Sequence, residues 1–146
     1  MEILRTENLT KIYGSGQTEV VALDHVNLSV EKGEFVAIIG SSGSGKSTLL
    51  HLLGGVDRPT EGKVFIDGQD IFQYNDDKLA IFRRRQVGLI YQFYNLIPVL
   101  NVEENIMLPM SLDGREVDRE RMDELLNLLG LYKRRPHLPN QVSGAP

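Results

Sequence analysis

A glycine-rich loop between an apolar run and a predicted helix constrains the fold of this chain more than any other feature. Residues 35–39 read Phe-Val-Ala-Ile-Ile, which is typical of a buried β-strand, and residues 48–53 are typical of a helix. Between them, residues 40–47 match the pattern G-x-x-x-x-G-K-[ST] of a phosphate-binding loop. The sequence therefore predicts a strand, loop and helix unit whose loop holds phosphate groups.

The residue types of this loop suit phosphate binding. Glycines let the backbone turn sharply, so that successive N–H groups can point at phosphate oxygens. The start of the helix adds unpaired N–H groups and the positive end of its dipole. Lys46 supplies a positive charge to the outer phosphates, and the Ser47 hydroxyl is a candidate Mg²⁺ ligand. The candidate nucleotide-binding residues of the loop are Gly40, Ser41, Ser42, Gly43, Ser44, Gly45, Lys46, Ser47 and Thr48. An ordinary flexible turn is the alternative, but the neighbouring strand and helix patterns favour the phosphate site.

Composition excludes several other functional classes. The 146 residues are typical of one domain, and the net charge of −4 argues against a general nucleic-acid binder. The chain has no cysteine, which rules out disulfides and thiolate metal sites. Its N-terminus does not resemble a signal peptide, and no apolar run approaches the length of a membrane span. We therefore expect a soluble chain whose contact with a membrane comes through a partner.

Alternating apolar residues predict strands mainly in the first half of the chain. An edge strand is expected over residues 2–13 and a second strand over residues 20–30, with a break at Asp24 and His25. Tight turns are expected over residues 31–34 and within the strand pattern of residues 63–71. Another buried strand is expected over residues 87–91.

Capping residues and apolar periodicity predict four helices. The first begins near Gly45 and ends at Gly54 and Gly55, and the second covers residues 77–84 after a cap at Asn75 or Asp76. A third helix follows Asn101 and should end or kink at Pro109. The fourth covers residues 116–131, where Met122, Leu125, Leu126 and Leu129 lie on one face.

Four motifs together closely resemble the nucleotide-binding subunit of an ABC transporter. Residues 11–14 resemble the family's adenine-stacking loop, with Tyr13 as its aromatic residue, and residues 40–47 are the phosphate-binding loop. Residues 87–92 resemble the strand that leads to the Q-loop glutamine, here Gln92. Residues 138–144 resemble the approach to the LSGGQ signature and its first residues, here Ser143 and Gly144. Residues 54–62, 82–85 and 92–98 are similar to the macrolide-exporter, lipoprotein-releasing and antimicrobial-peptide-resistance group.

The resemblance implies an α/β fold. It would consist of a P-loop NTPase core, an antiparallel β subdomain at the N-terminus and a helical subdomain near the C-terminus, incomplete at the C-terminal end. Residues 1–92 would form the β subdomain and P-loop core, and residues 93–146 the Q-loop and helical subdomain.

The resemblance also implies roles for individual residues. Tyr13 would stack on the adenine of ATP, and Lys46 and Gln92 would act in catalysis. Ser47 and Gln92 would contact Mg²⁺, whereas Ser143 and Gly144 would contact the ATP of a second subunit. The implied partners are membrane permease subunits and a second copy of the ATPase, on the cytoplasmic face of the cell membrane, with no nucleic acid.

The chain departs from the family pattern where Ala145 and Pro146 follow Ser143 and Gly144. We expect a truncation within the signature, because no apolar strand ending in Asp-Glu and no switch histidine follow. The family's general base would then be missing, and the chain alone would not hydrolyse ATP. Two alternatives remain. One is a different P-loop protein, such as a GTPase or small-molecule kinase, although no N-K-x-D guanine signature is present. The other is a non-hydrolysing nucleotide-binding or interaction fragment.

Overall fold

The computed structural model describes residues 1–142, in which one α-helix lies between two pairs of strands and three further α-helices follow them. The strands are β1 (Glu2–Tyr13), β2 (Val20–Glu31), β3 (Glu61–Ile66) and β4 (Gln69–Asp70). The α-helices are α1 (Lys46–Leu53), α2 (Asp76–Gln86), α3 (Val102–Leu112) and α4 (Arg119–Leu128). Short 3₁₀ helices cover Gly16–Thr18, Ile71–Gln73, Tyr132–Arg134 and Pro139–Gln141. The chain divides into two compact units, one of residues 1–88 and one that begins at Leu89.

The first unit is built on an antiparallel sheet of strand order β2-β1-β3-β4. The predicted antiparallel β subdomain is therefore confirmed. The prediction that residues 2–13 form an edge strand is wrong, because β1 pairs with β2 on one side and with β3 on the other. The alternating pattern identified the strand, but it cannot identify the neighbours, which depend on chain segments about 20 and 60 residues away.

The expected break in β2 is an irregularity at His25, where the backbone turns to φ +49° without ending the strand. The Thr10 hydroxyl accepts a hydrogen bond from the His25 N–H at 3.1 Å, so a buried side chain replaces the interrupted ladder contact. The registers between β1 and β2 shift on both sides of Leu9. Both strands therefore continue through the irregularity at His25.

The core of the first unit lies between the sheet and helices α1 and α2. The buried cluster consists of Leu9, Leu23, Leu49, Leu52, Val64, Ile71 and Leu79. Two of its members belong to α1, which is thereby anchored to the sheet. Full burial of a leucine such as Leu52 stabilises the fold by about 1.5–3 kcal/mol. This packing fixes the helix that follows the glycine-rich loop.

Two predicted strands are wrong. Residues 35–39 and 87–91 have no regular secondary structure, and Phe35 is 95% exposed, Ile39 91% and Ile90 fully. Buried parallel strands need hydrogen-bonding neighbours and covering layers on both faces. Within residues 1–142, neither segment pairs with another strand, although Ile38 packs against the core of the first unit. An apolar run is thus insufficient to form a strand when no ladder partner is available.

The second unit contains α3 and α4, both with side-chain caps. Asn101 begins α3 with a capping box that includes Glu104, and the Asp118 carboxylate accepts from the Arg121 N–H to begin α4. Of the two outcomes expected at Pro109, an end of α3 is ruled out, because the helix continues to Leu112 and the Asp113 N–H donates to the Pro109 carbonyl at 3.2 Å.

Helix α4 is shorter than predicted at both ends. It buries Met122 and Leu126, as its periodicity indicates, but Leu129 is 62% exposed at the capping position beyond its last turn. The N-cap at Asp118 sets the beginning of the helix, and the Leu131 N–H bonds to the Leu126 carbonyl as the chain leaves it. The local caps, rather than the extent of the apolar pattern, thus determine where the helix begins and ends.

An ion network links α3, α4 and the segment after α4. The Arg135 guanidinium donates to Glu103 and to Asp123, both at 2.9 Å, and Glu103 also pairs with Arg119. The hydrogen bond from Arg135 lowers the pKa of Glu103 below its ordinary value of 4.5. The network therefore favours the ionised carboxylate in the folded state.

The stability that this carboxylate provides should depend on pH. Because the folded pKa of Glu103 is lowered, its contribution is present above pH 4.5 and is lost as the pH falls through the folded pKa. We expect Glu103→Gln to lower the thermal midpoint by a few degrees at pH 7 and to have a smaller effect at pH 3. Circular dichroism melts of both proteins across this range measure the difference. The matched control is Glu120→Gln, because Glu120 is an exposed acid in the first turn of α4. If both substitutions lowered the thermal midpoint equally at every pH, the prediction would be contradicted.

Candidate nucleotide-binding site

The N-terminus of α1 differs chemically from that of every other α-helix in residues 1–142. Asn75, Asn101 and Asp118 cap α2, α3 and α4 through their side chains, and each of these helices has an acid in its first turn. Helix α1 has no side-chain cap, because its N-cap is Gly45, and its first turn contains no acid. Its first N–H groups and the positive end of its dipole are therefore offered to an external anion.

The Lys46 side chain folds back over the loop that precedes α1. Its ammonium donates to the carbonyl oxygens of Gly40 at 2.8 Å and Ser41 at 2.6 Å, and to Ser44 Oγ at 3.2 Å. These contacts hold a positive charge within the loop, at the uncapped end of the helix. The sequence predicted that Lys46 provides this charge, and the structure adds the three oxygens that hold it.

Two glycines give the loop its path. Gly43 has φ +77° and Gly45 has φ +85°, which is the left-handed region where other residues are strained. A Cβ at Gly45 would lie 2.3 Å from the Ala22 carbonyl oxygen, so the loop approaches the backbone of β2 closely. A Cβ at Gly43 would have no neighbour within 4 Å. Of these two glycines, only Gly45 is therefore required both for its backbone conformation and to avoid a steric clash.

The remaining candidate residues line the same short segment. Gly40, Ser41, Ser42, Gly43, Ser44 and Ser47 are exposed, whereas Gly45, Lys46 and Thr48 are partly buried. Ser47 lies in the first turn of α1, directly after the lysine. Its exposed hydroxyl is a hard oxygen donor of the kind that Mg²⁺ accepts. The donor set of the loop therefore fits a phosphate group with an accompanying Mg²⁺.

Tyr13 lies at the end of β1 in a cluster that sequence reasoning did not find. Its hydroxyl donates to Asp57 Oδ2 at 2.9 Å, and the Lys11 ammonium lies 4.9 Å from the centre of its ring. Lys11 also pairs with Asp57 Oδ1 at 2.9 Å. Asp57 is 44 residues beyond Tyr13, so no local pattern could have joined them.

The electrostatics of this cluster keep Asp57 ionised. Partial burial raises the pKa of the Asp57 carboxyl, but hydrogen bonds from Lys11, Tyr13 and the Arg58 N–H lower it by more. The net pKa therefore lies below the ordinary value, and the carboxylate is a permanent acceptor near neutral pH.

The other predicted site residues follow the first unit along the chain. Gln92 is exposed in an irregular segment that also carries the exposed side chains of Phe93 and Tyr94. Ser143 and Gly144 fall outside the residues that the structure describes. The roles of these three residues therefore stay predictions.

Residues 1–142 lack two other kinds of feature. No group of three or more His, Asp or Glu side chains within residues 1–142 could hold a metal ion. Across that same range, every helix is too short or too polar to cross a bilayer.

The chain is similar to proteins of one known family. The family model described as ABC transporter matches residues 23–145 of this chain. An uncharacterized ABC transporter ATP-binding protein of Thermotoga maritima is 47% identical over 98% of this chain and 62% of its own length. The lipoprotein-releasing system ATP-binding protein LolD of Geobacter metallireducens is 44% identical over 97% of this chain and 64% of its own length.

A third relative combines two functions in its name. The macrolide export ATP-binding/permease protein MacB of Hyphomonas neptunium is 47% identical over 97% of this chain, which covers 22% of that protein. These similarities confirm the predicted relation to the macrolide-exporter and lipoprotein-releasing group.

A solved structure shows that the similarity extends to the fold. A dimeric ATP-binding cassette in a post-hydrolysis state, bound to ADP and Pi, superposes with a TM-score of 0.86 at 40% identity. The match covers 97% of this chain and 64% of that one. The chain thus spans less than two thirds of the length of the Thermotoga relative and of this structure. It belongs to the ABC transporter family and has the α/β fold of its ATP-binding cassettes.

Proposed function

We propose that this chain binds Mg-ATP through residues 40–48 and Tyr13. It would form the nucleotide-binding part of a transporter's ATP-binding subunit. The observation that carries the proposal is the uncapped start of α1 with the Lys46 ammonium held at its loop. An anion of high charge density is the ligand that this arrangement favours.

Each part of the loop has a separate task in the proposed complex. The N–H groups at the start of α1 bind phosphate oxygens, and Lys46 exchanges its loop carbonyls for the outer phosphates. The Ser47 hydroxyl would hold Mg²⁺, and a contact of Gln92 with Mg²⁺ stays what the family resemblance predicts. When bound, Mg²⁺ neutralises phosphate charge and orients the phosphates. These tasks position the nucleotide and stabilise its charge.

Tyr13 supports a purine nucleotide as the ligand, and the family relation favours ATP. Tyr13 is 41% exposed at the end of β1, and Lys11 lies over one face of its ring, so a purine would stack on the other face. A titration calorimetry comparison of Mg-ATP with Mg-GTP tests this assignment. Preferential binding of ATP supports it, whereas a strong preference for GTP favours a GTPase or kinase instead.

The wider function that we propose depends on partners. Two cassettes would close on ATP, with Ser143 and Gly144 of one facing the nucleotide of the other, and closure would drive a membrane permease. The dimeric state of the solved relative supports this proposal. Exposed Phe93 and Tyr94 beside Gln92 provide an apolar surface that a permease segment could cover. Such a subunit would lie on the cytoplasmic face of the membrane.

Hydrolysis requires groups that we do not find in this sequence. The loop cradles phosphates, but no apolar strand ending in Asp-Glu is present to position and activate water. We therefore expect the purified 146-residue chain to bind Mg-ATP without measurable turnover. A phosphate-release assay with saturating Mg-ATP measures this, and a Lys46→Ala preparation controls for contaminating ATPases. Turnover that disappears in the variant would show that the chain hydrolyses ATP by itself.

A further inference from the structure

Asp57 is held at the end of the helix that carries the phosphate loop. The Val56 N–H donates to the His51 carbonyl at 2.8 Å, and the Asp57 N–H contacts the same oxygen at 3.4 Å. Helix α1 therefore has the loop lysine at its first residue and the Asp57 segment just beyond its last turn. An eight-residue helix is about 12 Å long, so it is a short, rigid connection between the two.

The Asp57 carboxylate receives donors on both oxygens. Oδ1 accepts from the Lys11 ammonium at 2.9 Å and from the Arg58 N–H at 2.8 Å, and Oδ2 accepts from the Tyr13 hydroxyl at 2.9 Å. Lys11 also donates to the Arg58 carbonyl at 2.6 Å. The Lys11 side chain is only 13% exposed, so its position is fixed by packing as well as by charge.

These contacts restrain the tyrosine in two ways. The hydrogen bond to Asp57 fixes the end of the Tyr13 ring, and the Lys11 ammonium lies against one face of it. A partly exposed tyrosine without such contacts would sample several rotamers and lose that freedom on binding a base.

We propose that Asp57, with Lys11, is a positioning residue that holds Tyr13 in the orientation that stacks on the nucleotide base. This inference rests on the proposed function, since it concerns the base half of the same ATP site. Asp57 does not touch the nucleotide; it acts through the Tyr13 hydroxyl. Its removal should therefore weaken recognition of the base and spare recognition of the phosphates.

The test compares two ligands that share phosphates and differ in the base. Calorimetric titrations with Mg-ATP and with Mg-tripolyphosphate are run on wild type, Asp57→Ala, Tyr13→Phe and the double variant. We expect each single change to weaken ATP binding by about three- to tenfold, because a freed Tyr13 side chain must be ordered when the base binds, and to leave tripolyphosphate binding unchanged. The double variant should bind ATP no more weakly than the weaker single variant, because both changes break one contact.

The ratio of the two affinities makes the test robust to partial unfolding. A smaller folded fraction lowers both apparent affinities equally and leaves the ratio unchanged. Asp77→Ala, which removes an exposed acid from α2, is the matched control and should leave the ratio at the wild-type value. An unchanged ratio in Asp57→Ala, or additive effects in the double variant, would overturn the positioning role while leaving ATP binding intact. Failure of the wild type to bind either ligand would instead refute the proposed function, and this inference with it.

Discussion

Lys46→Ala is expected to weaken Mg-ATP binding by at least about 100-fold, which corresponds to roughly 2.8 kcal/mol. The reason is the position of the ammonium, which lies among the loop oxygens of Gly40, Ser41 and Ser44 at an uncapped helix start. Phosphates that bind there without Lys46 would retain only backbone donors and the helix dipole. Isothermal titration calorimetry with Mg-ATP measures the loss.

The matched control for this change is Lys63→Ala. Lys63 is an exposed lysine of β3 in the same unit, so its removal changes the net charge equally without touching the loop. Binding within about twofold of wild type is expected for it, since an exposed charge away from the ligand contributes little. Unchanged ATP affinity in Lys46→Ala would remove the basis of the phosphate-site assignment.

Gly45→Ala is expected to cost roughly 3–5 kcal/mol of local stability and to weaken ATP binding by at least tenfold. The methyl group would be strained at φ +85° and would lie 2.3 Å from the Ala22 carbonyl oxygen. Either β2 or the start of α1 must move to relieve the contact. Since α1 is anchored by buried Leu49 and Leu52, we expect the loop to distort. Chemical denaturation and ATP titration on the same preparation measure both effects.

Gly43→Ala separates conformational strain from the steric clash. Gly43 shares the left-handed conformation, at φ +77°, but a methyl group there would meet no atom within 4 Å. Its cost should be the strain alone, about 1–2 kcal/mol. Equal effects of the two substitutions would show that the close approach to Ala22 does not matter for the loop.

Most elements whose signals are local were predicted correctly, although the cap of α4 at Asp118 was missed. Asn75, Asn101 and the Gly54-Gly55 pair set helix boundaries through caps, which depend on residues within one turn. The turn at residues 31–34 likewise needs only its own backbone bond, from the Glu34 N–H to the Glu31 carbonyl. These features are determined by neighbours in the chain, so the sequence suffices to locate them.

Elements whose signals depend on distant partners were predicted poorly. The apolar runs of residues 35–39 and 87–91 have strand composition but no ladder neighbour within residues 1–142. The interior position of β1 also depends on β3, which lies far along the chain. Strand identity and strand neighbours are properties of a pairing, and composition describes only one member of it.

By itself, the sequence determined the family and predicted the phosphate-binding loop with its lysine, because these lie in contiguous motifs whose chemistry follows from residue type and order. The tertiary structure alone decided which oxygens hold Lys46, that Gly45 must remain small, and that Asp57 holds Tyr13. Each of these is a contact between atoms brought together by folding. Asp57 reaches Tyr13 only because α1 packs on the sheet and returns the chain to the end of β1.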